Sequence, residues 1–420
     1  MLGDSVQTMN SPAPSPTLKH SDSSPITIAE HRGVASLDHV ARDWRRLYAE
    51  MSQRTGFHVY EAHRAYVPTV MAEPDHLRCV IISVDATARA ICPLESRSVH
   101  ILGRPVRVWR LTLPSHFPMG DVICPDEAVR RQLLPLLTHY LRRSAGGRRL
   151  LILGPLPQTS PLWAGLAELA PYDYCLSRTS HVYVFDSRQP FEVLLKRLAR
   201  RYRADLRRRY RRLEALGNVR FATVANTAQL PAHLEAFFDL EARGWKGRPG
   251  VGKAIRLRKG QPDFFRDFVA RMDGEDDHCE INELHADGRC IASLLCMRTG
   301  DEYAIMKTAY DEKYAHVAPG LLLLRHTLER CCADPRIARV NMLGDAAWLR
   351  PWHPDRMEMQ QAYIALGRWS RWPLIAALEF RFGYGRRAAR WLRGKMTPAC
   401  KLIHRKETVG RRSGSGGLGQ

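Results

Sequence analysis

CEINELHADGRCIASLLCMRTGDEYAIMKTAY, residues 279–310, reads as three strands joined by two tight turns. Asp287-Gly288 and Gly300-Asp301 are dipeptides that reach positive φ at little cost, and each is flanked by apolar runs of strand length. Upstream lie a helix, the strand VRFATVA at 219–225 and two further helices. Downstream come a helix at 321–332 and the strands ARVNMLG and QAYIAL. Strand, turn, strand, turn, strand, helix, strand implies a mixed sheet with flanking helices, an α/β (α+β) layer architecture.

The same grammar recurs earlier. Residues 37–54 have helical periodicity, LRCVIISV and ARAICPL form a strand pair around Asp85-Ala86-Thr87, and a short run at 106–111 precedes a helix at 127–143. RRLLILG at 148–154 then reads as a buried strand. The repetition is of element order, with no residue-level repeat. A chain of 420 residues exceeds one ordinary core. The reading therefore gives a domain at 26–185, a second at 186–367, a Ser/Pro-rich disordered lead-in at 1–25 and a basic aromatic region at 368–420. No run of 18 apolar residues and no secretory leader is present, so a cytoplasmic location is expected. The ten cysteines are scattered without metal-ligand spacing and read as buried thiols, with no metal expected.

Charge is concentrated. Residues 196–212 (KRLARRYRADLRRRYRR) hold ten Lys/Arg against Asp205, and residues 368–420 hold thirteen against Glu379 and Glu407; these net +9 and +11 supply +20 of the chain's +21. Leu195, Leu198, Tyr202, Leu206, Tyr210 and Leu213 recur at helical spacing, so the first patch reads as one amphipathic helix with Pro190 in its first turn and Gly217 as its stop. Same-sign neighbours at i,i+4 destabilise a helix by a few tenths of a kcal/mol per pair, so this patch points to an anionic partner through Arg200, Arg201, Arg207, Arg208 and Arg211. In the second patch Trp369, Trp372 and Trp391 alternate with Arg386, Arg387 and other cations, which suits an anionic membrane surface or single-stranded nucleic acid.

Residues 190–366 resemble the GNAT acyltransferase fold in its CelD-type form, the branch associated with cellulose and exopolysaccharide biosynthesis and related to FemAB-type aminoacyltransferases. The resemblance rests on the arginine-rich helix followed by Gly217 and a strand, on Gly244-Trp245-Lys246, and on the strand pair across Asp287-Gly288. It continues in Ala309-Tyr310-Asp311, Tyr314, Pro319-Gly320-Leu321-Leu322 and Met342-Leu343-Gly344-Asp345. It implies two GNAT-like domains, the first degenerate, with acetyl-CoA or another acyl-CoA as co-substrate. The donor's pyrophosphate would lie at the helix start Pro319, Gly320, Leu321, where free N–H groups and the helix dipole favour anions. The usual R/Q-x-x-G-x-G/A run is absent: residues 316–320 keep one glycine. A Tyr-Lys pair common after the family's Gly-Asp is replaced by Trp348 and Arg350.

Acyl transfer needs a base, a proton donor for the leaving group and a positioned acceptor. Glu283 on the first hairpin strand and Asp345 at a strand end are the expected carboxylates, and Tyr310 the expected proton donor. Trp245, Lys246, Trp348 and Arg350 would shape the acceptor pocket. No nucleophile elbow, P-loop or dinucleotide fingerprint occurs. The expected function is transfer from acyl-CoA to an amine or hydroxyl of a saccharide or other cell-envelope precursor. Alternatives are aminoacyl transfer from tRNA and a non-catalytic binding module.

Overall fold

A computed structural model describes residues 18–19, 25–144, 147–170, 173–225, 228–367 and 371–382. Both dipeptide turns form two-residue hairpins. Asp287 and Gly288 have φ of 47° and 75°, and Ala286 pairs with Arg289; Gly300 has φ of 55°, and Thr299 pairs with Glu302. The strands are Asp277–Ala286, Arg289–Thr299 and Glu302–Tyr310. Asp85-Ala86 makes the corresponding turn of the first half, with φ of 49° and 60° between Leu77–Val84 and Thr87–Ile101.

The two halves do not build separate sheets. Among the described residues fourteen strands form one sheet, and its order is a palindrome of the repeated grammar. In the first half Pro25–Arg32, Leu77–Val84, Thr87–Ile101 and Arg104–Leu111 run antiparallel, and Leu150–Pro157 joins in parallel. In the second, Val219–Ala225 and the three hairpin strands run antiparallel, and Arg339–Asn341 joins in parallel. Each half then receives its closing strand from the other. Ser180–Asp186 pairs with Arg339–Asn341, while Asp355–Ala365 pairs through its C-terminal part with Leu150–Pro157 and through its N-terminal part with Ser180–Val184. The expected boundary between 185 and 186 therefore falls inside a strand whose two neighbours both belong to the second half. A reading of hydrophobic runs along the chain has no access to which partner a strand takes.

Helices cover both faces. One face carries a single core across the two halves, where Trp44, Leu47 and Tyr66 pack with Phe237, Phe264 and Phe268. There the loop after Leu111 reaches over: Ser115 Oγ and His116 Nε2 both donate to Gln261 Oε1 at 2.8 Å. The opposite face is divided, with Leu133, Leu137 and Leu141 of Glu127–Arg143 covering the first half. Leu323, Leu324 and Leu328 of Pro319–Ala333 cover the second.

The arginine-rich stretch is two helices, Phe191–Arg197 and Arg200–Glu214, and not one. Leu198 and Ala199 are extended, with ψ of 137° and 144°, because the chain turns there to keep Leu198 in the core. The apolar stripe survives the break: Leu198, Leu206 and Leu213 are buried and Leu195, Tyr202 and Tyr210 pack beside them. Gly217 lies beyond the helix end at φ 130°, where a Cβ would come within 2.0 Å of the Asp287 carboxylate that accepts from the Asn218 N–H. Leu18–Lys19, within the expected disordered lead-in, pairs with Pro25 and Ile26. Of the basic C-terminal region only Arg371–Phe382 is described, a helix burying Leu374, Ile375 and Leu378; Arg386 and Arg387 lie outside the described residues. Among the described residues no helix is long and apolar enough to cross a membrane.

The end of the Pro319–Ala333 helix is tied to the hairpin by a buried polar network. Glu280 accepts from the Arg330 guanidinium and the Tyr303 hydroxyl, and Arg330 also donates to Tyr303 Oη at 2.9 Å. Burial raises the Glu280 carboxyl, but His278, Arg330 and Tyr303 outweigh it and hold it below its ordinary range. Arg330→Met strands that carboxylate in the core and should cost about 3 kcal/mol in chemical denaturation, since removal of one partner leaves an uncompensated buried charge.

Candidate active site

The site begins where two parallel strands part. Glu302–Tyr310 pairs with Arg339–Asn341 over only three residues, Glu302 to Ala304. Buried Glu302 clamps that pairing, accepting from Arg339 Nε at 2.8 Å and Asn341 Nδ2 at 3.3 Å. Asn341 Oδ1 then accepts from the Leu343 N–H at 2.9 Å, and Leu343 turns into the left-handed region at φ 48°. Beyond this point the chain stays hydrogen-bonded to Tyr183 on its other side, through Met342 N–H and Gly344 C=O. Lys307 to Tyr310 are left without a parallel partner, and the sheet splays.

A cavity of about 350 Å³ opens at this splay. Thr308, Ala309 and Tyr310 form one wall, Ala318 to Leu321 the second, and Leu240, Glu241, Gly244, Trp245 and Lys246 the third, with Trp348 at the rim. Trp245 and Trp348 are 42% and 40% exposed, unusual for indoles with apolar neighbours. The third wall is pinned to the first: Lys246 Nζ donates to Glu241 Oε1 at 2.8 Å and to the Thr308 carbonyl at 2.7 Å. Glu241 Oε2 accepts from the Ile255 N–H at 2.8 Å, and Glu312 Oε1 holds the Trp245 N–H at 2.6 Å. The Pro319–Ala333 helix starts on Pro319 with no side-chain cap; the Leu321 and Leu322 N–H groups donate to the Ala318 carbonyl at 3.0 and 3.3 Å, and the Gly320 N–H remains for a ligand. Gly320 leaves the mouth open; a Cβ there would find Tyr310 Cδ1 at 3.9 Å.

Trp245, Lys246, Tyr310, Pro319, Gly320, Leu321 and Trp348 thus converge on one cavity. Glu283, Asp345 and Arg350 do not line it. Asp345 and Arg350 are exposed beyond the strand end. Glu283 is buried elsewhere on the hairpin, held by His233 Nδ1 at 2.9 Å and His285 Nε2 at 2.8 Å. Arg200, Arg201, Arg207, Arg208 and Arg211 are all exposed, Arg208 being paired with Asp205.

One ionisable group carries little signal in the sequence. Lys307 sits mid-strand in EYAIMKTAY; burial lowers its ammonium from 10.5 to about 8, with the Glu241 charge opposing and those of Lys246 and Arg258 adding. A β-bulge between Leu295 and Cys296, where Met306 is skipped in the pairing, turns the strand beside it. The signal was a single lysine in a run otherwise fit for a buried strand. His116, across from it, is pushed down to about 3 by burial and by the Lys307 charge, so it is neutral at physiological pH.

Residues 200–350 match the family described as an acetyltransferase (GNAT) domain. The match lies within the second half of the chain. Among solved structures the chain is similar to FemX, at 11% identity and a TM-score of 0.52, over 77% of this chain and 95% of that one. A conserved protein of unknown function from Bacteroides thetaiotaomicron VPI-5482 aligns at 12% identity and a TM-score of 0.50, over 77% and 97% of the two chains. At these identities the likeness is one of fold. No curated protein matches the sequence.

The Lys307 shift gives a signed prediction. The unfolded chain holds this proton more tightly than the folded one, so the cost is complete below pH 8 and stability rises with pH from about 8 to 10.5. Lys307→Met should therefore stabilise the protein at pH 7 by up to about 3 kcal/mol, at about 1.4 kcal/mol per pH unit. Denaturation at pH 7 and pH 10 checks this: the gain should shrink at the higher pH.

Proposed function

We propose that the chain is an acyltransferase that moves an acyl group from acyl-CoA to an amine or hydroxyl acceptor at the splay cavity. The observation that supports it most is the convergence of an uncapped helix start, a splayed strand edge and two exposed indoles on one largely apolar space. Gly320 would hold the donor's pyrophosphate through its backbone N–H and the helix dipole, with Pro319 and Leu321 shaping the loop around it. The apolar wall at Thr308 to Tyr310 suits a pantetheine arm. Tyr310 lines the cavity and would return a proton to the departing thiolate, and Trp245 and Trp348 would flank the acceptor. Lys246 is committed to Glu241 and Thr308, so its part is to set the third wall. By resemblance alone, the acceptor would be a saccharide or amine of a cell-envelope or exopolysaccharide precursor.

A second reading, aminoacyl transfer from tRNA, draws on one further feature. A groove of about 650 Å³ beside the arginine-rich helix is rimmed by Arg203, Arg207, Arg211 and Arg325 over Leu195 and Leu206. Guanidiniums so aligned suit a phosphate backbone.

Calorimetric titration separates the two. Acetyl-CoA or a longer acyl-CoA should bind saturably, and Gly320→Leu should weaken binding at least about tenfold, or 1.4 kcal/mol, by filling the mouth. Tyr310→Phe should leave binding within about twofold and lower turnover by about 100-fold. Absence of binding to either thioester at millimolar concentration, with tRNA bound in a salt-dependent manner, overturns the first reading in favour of the second.

A further inference from the structure

Away from the cavity, the hairpin collects a donor set that no sequence spacing reveals. Glu283 and His285 stand two residues apart on one strand and so share a face. The register shift between Leu284 and His285 sets His285 directly opposite Cys290 on the next strand. One donor atom from each of Glu283, His285 and Cys290 lies within 4.8 Å of the other two. From the covering helix Leu230–Arg243, His233 Nδ1 meets Glu283 Oε1 at 2.9 Å.

Hydrogen bonding accounts for only part of this arrangement. Glu283 is satisfied, one oxygen by each histidine. His285 Nδ1, in contrast, is buried and has no partner, although its ring is already oriented by the carboxylate on Nε2. A buried, unpaired imidazole nitrogen costs about 1–3 kcal/mol. The Cys290 thiol meets only the Ala292 carbonyl, at 3.4 Å.

We propose that Glu283, His285 and Cys290, with His233 beside them, form a binding site for a divalent metal ion of the zinc class. Imidazole, thiolate and carboxylate together suit zinc or cobalt(II) rather than magnesium or calcium, which prefer oxygen donors alone. Bonds of about 2.0–2.3 Å require the Glu283–His285 hydrogen bond to open so that the carboxylate and a ring nitrogen both face the ion, a rearrangement within reach of side-chain rotation. The Cys290 proton leaves to solvent as the thiolate binds. His233, 29% exposed, marks the way in. The ion would clip the hairpin to the helix whose other end, Leu240, Glu241 and Gly244, walls the cavity. This inference is independent of the acyl donor.

The test is cobalt(II) titration of the full chain, prepared without a polyhistidine tag and stripped of metal, followed by absorption and by elemental analysis of the zinc-reconstituted protein. One equivalent should bind, with a thiolate-to-cobalt charge-transfer band. Cys290→Ser should abolish the band and weaken binding by at least about tenfold, while Cys332→Ser should change neither. His285→Gln should weaken binding similarly, which serves if Cys290→Ser fails to fold. No stoichiometric binding at micromolar cobalt, or a band that survives Cys290→Ser, overturns the site.

Discussion

The exchange of closing strands between the halves is the constraint from which the rest follows. Arg339–Asn341 can have only two neighbours, and Ser180–Asp186 takes the outer one. Once the Asn341 side chain has turned the backbone at Leu343, the main chain remains bonded to Tyr183 and leaves Glu302–Tyr310 behind. The splay is therefore a product of backbone hydrogen-bond accounting: the Leu343 N–H is taken by the Asn341 side chain and the Thr308 carbonyl by Lys246, so neither is left to pair across it. Without a strand supplied by the first half, Arg339–Asn341 would present a bare edge and nothing would draw the chain away.

The same exchange explains why the first half is kept although the cavity belongs to the second. Its helices share one core with Leu230–Arg243 and Gln261–Arg271, and Phe117 packs edge-on against Phe268 at 6.1 Å. The cavity's third wall is carried on the first of these helices. Lys307, half-buried beside this shared core, is a cation whose proton affinity burial lowers.

Electrostatics divides between two regimes. On the arginine-rich helix the charges are solvated, and Asp205 absorbs two of them, so their worth lies in attraction of an anion over distance. Inside, three carboxylates are individually matched: Glu302 with Arg339, Glu241 with Lys246, Glu280 with Arg330. Each pair stands where an element must be pinned, at the start of the splay, between two cavity walls, and beneath the helix that begins on Pro319.

Local chemistry made much of this legible. Turn dipeptides set the hairpins, because Asp-Gly and Gly-Asp reach positive φ cheaply, and apolar periodicity placed the stripe from Leu195 to Leu213 even across a break in its helix. Motif residues near the splay, Trp245, Tyr310, Pro319, Gly320 and Trp348, could be named because they sit at turns and element ends, where composition is informative. The partners of each strand could not be read. Pairing between Ser180–Asp186 and Arg339–Asn341 spans some 150 residues, and any apolar strand offers the same backbone groups to any other. The surroundings of Glu283 are illegible for the same reason: its sequence neighbours suggest a sheet-edge base, whereas His233 from a distant helix and Cys290 across the turn decide what it meets. Periodicity and turn chemistry are properties of a segment and are carried by the sequence; register, burial of Lys307 and the meeting of side chains are properties of packing, which only the tertiary structure decided.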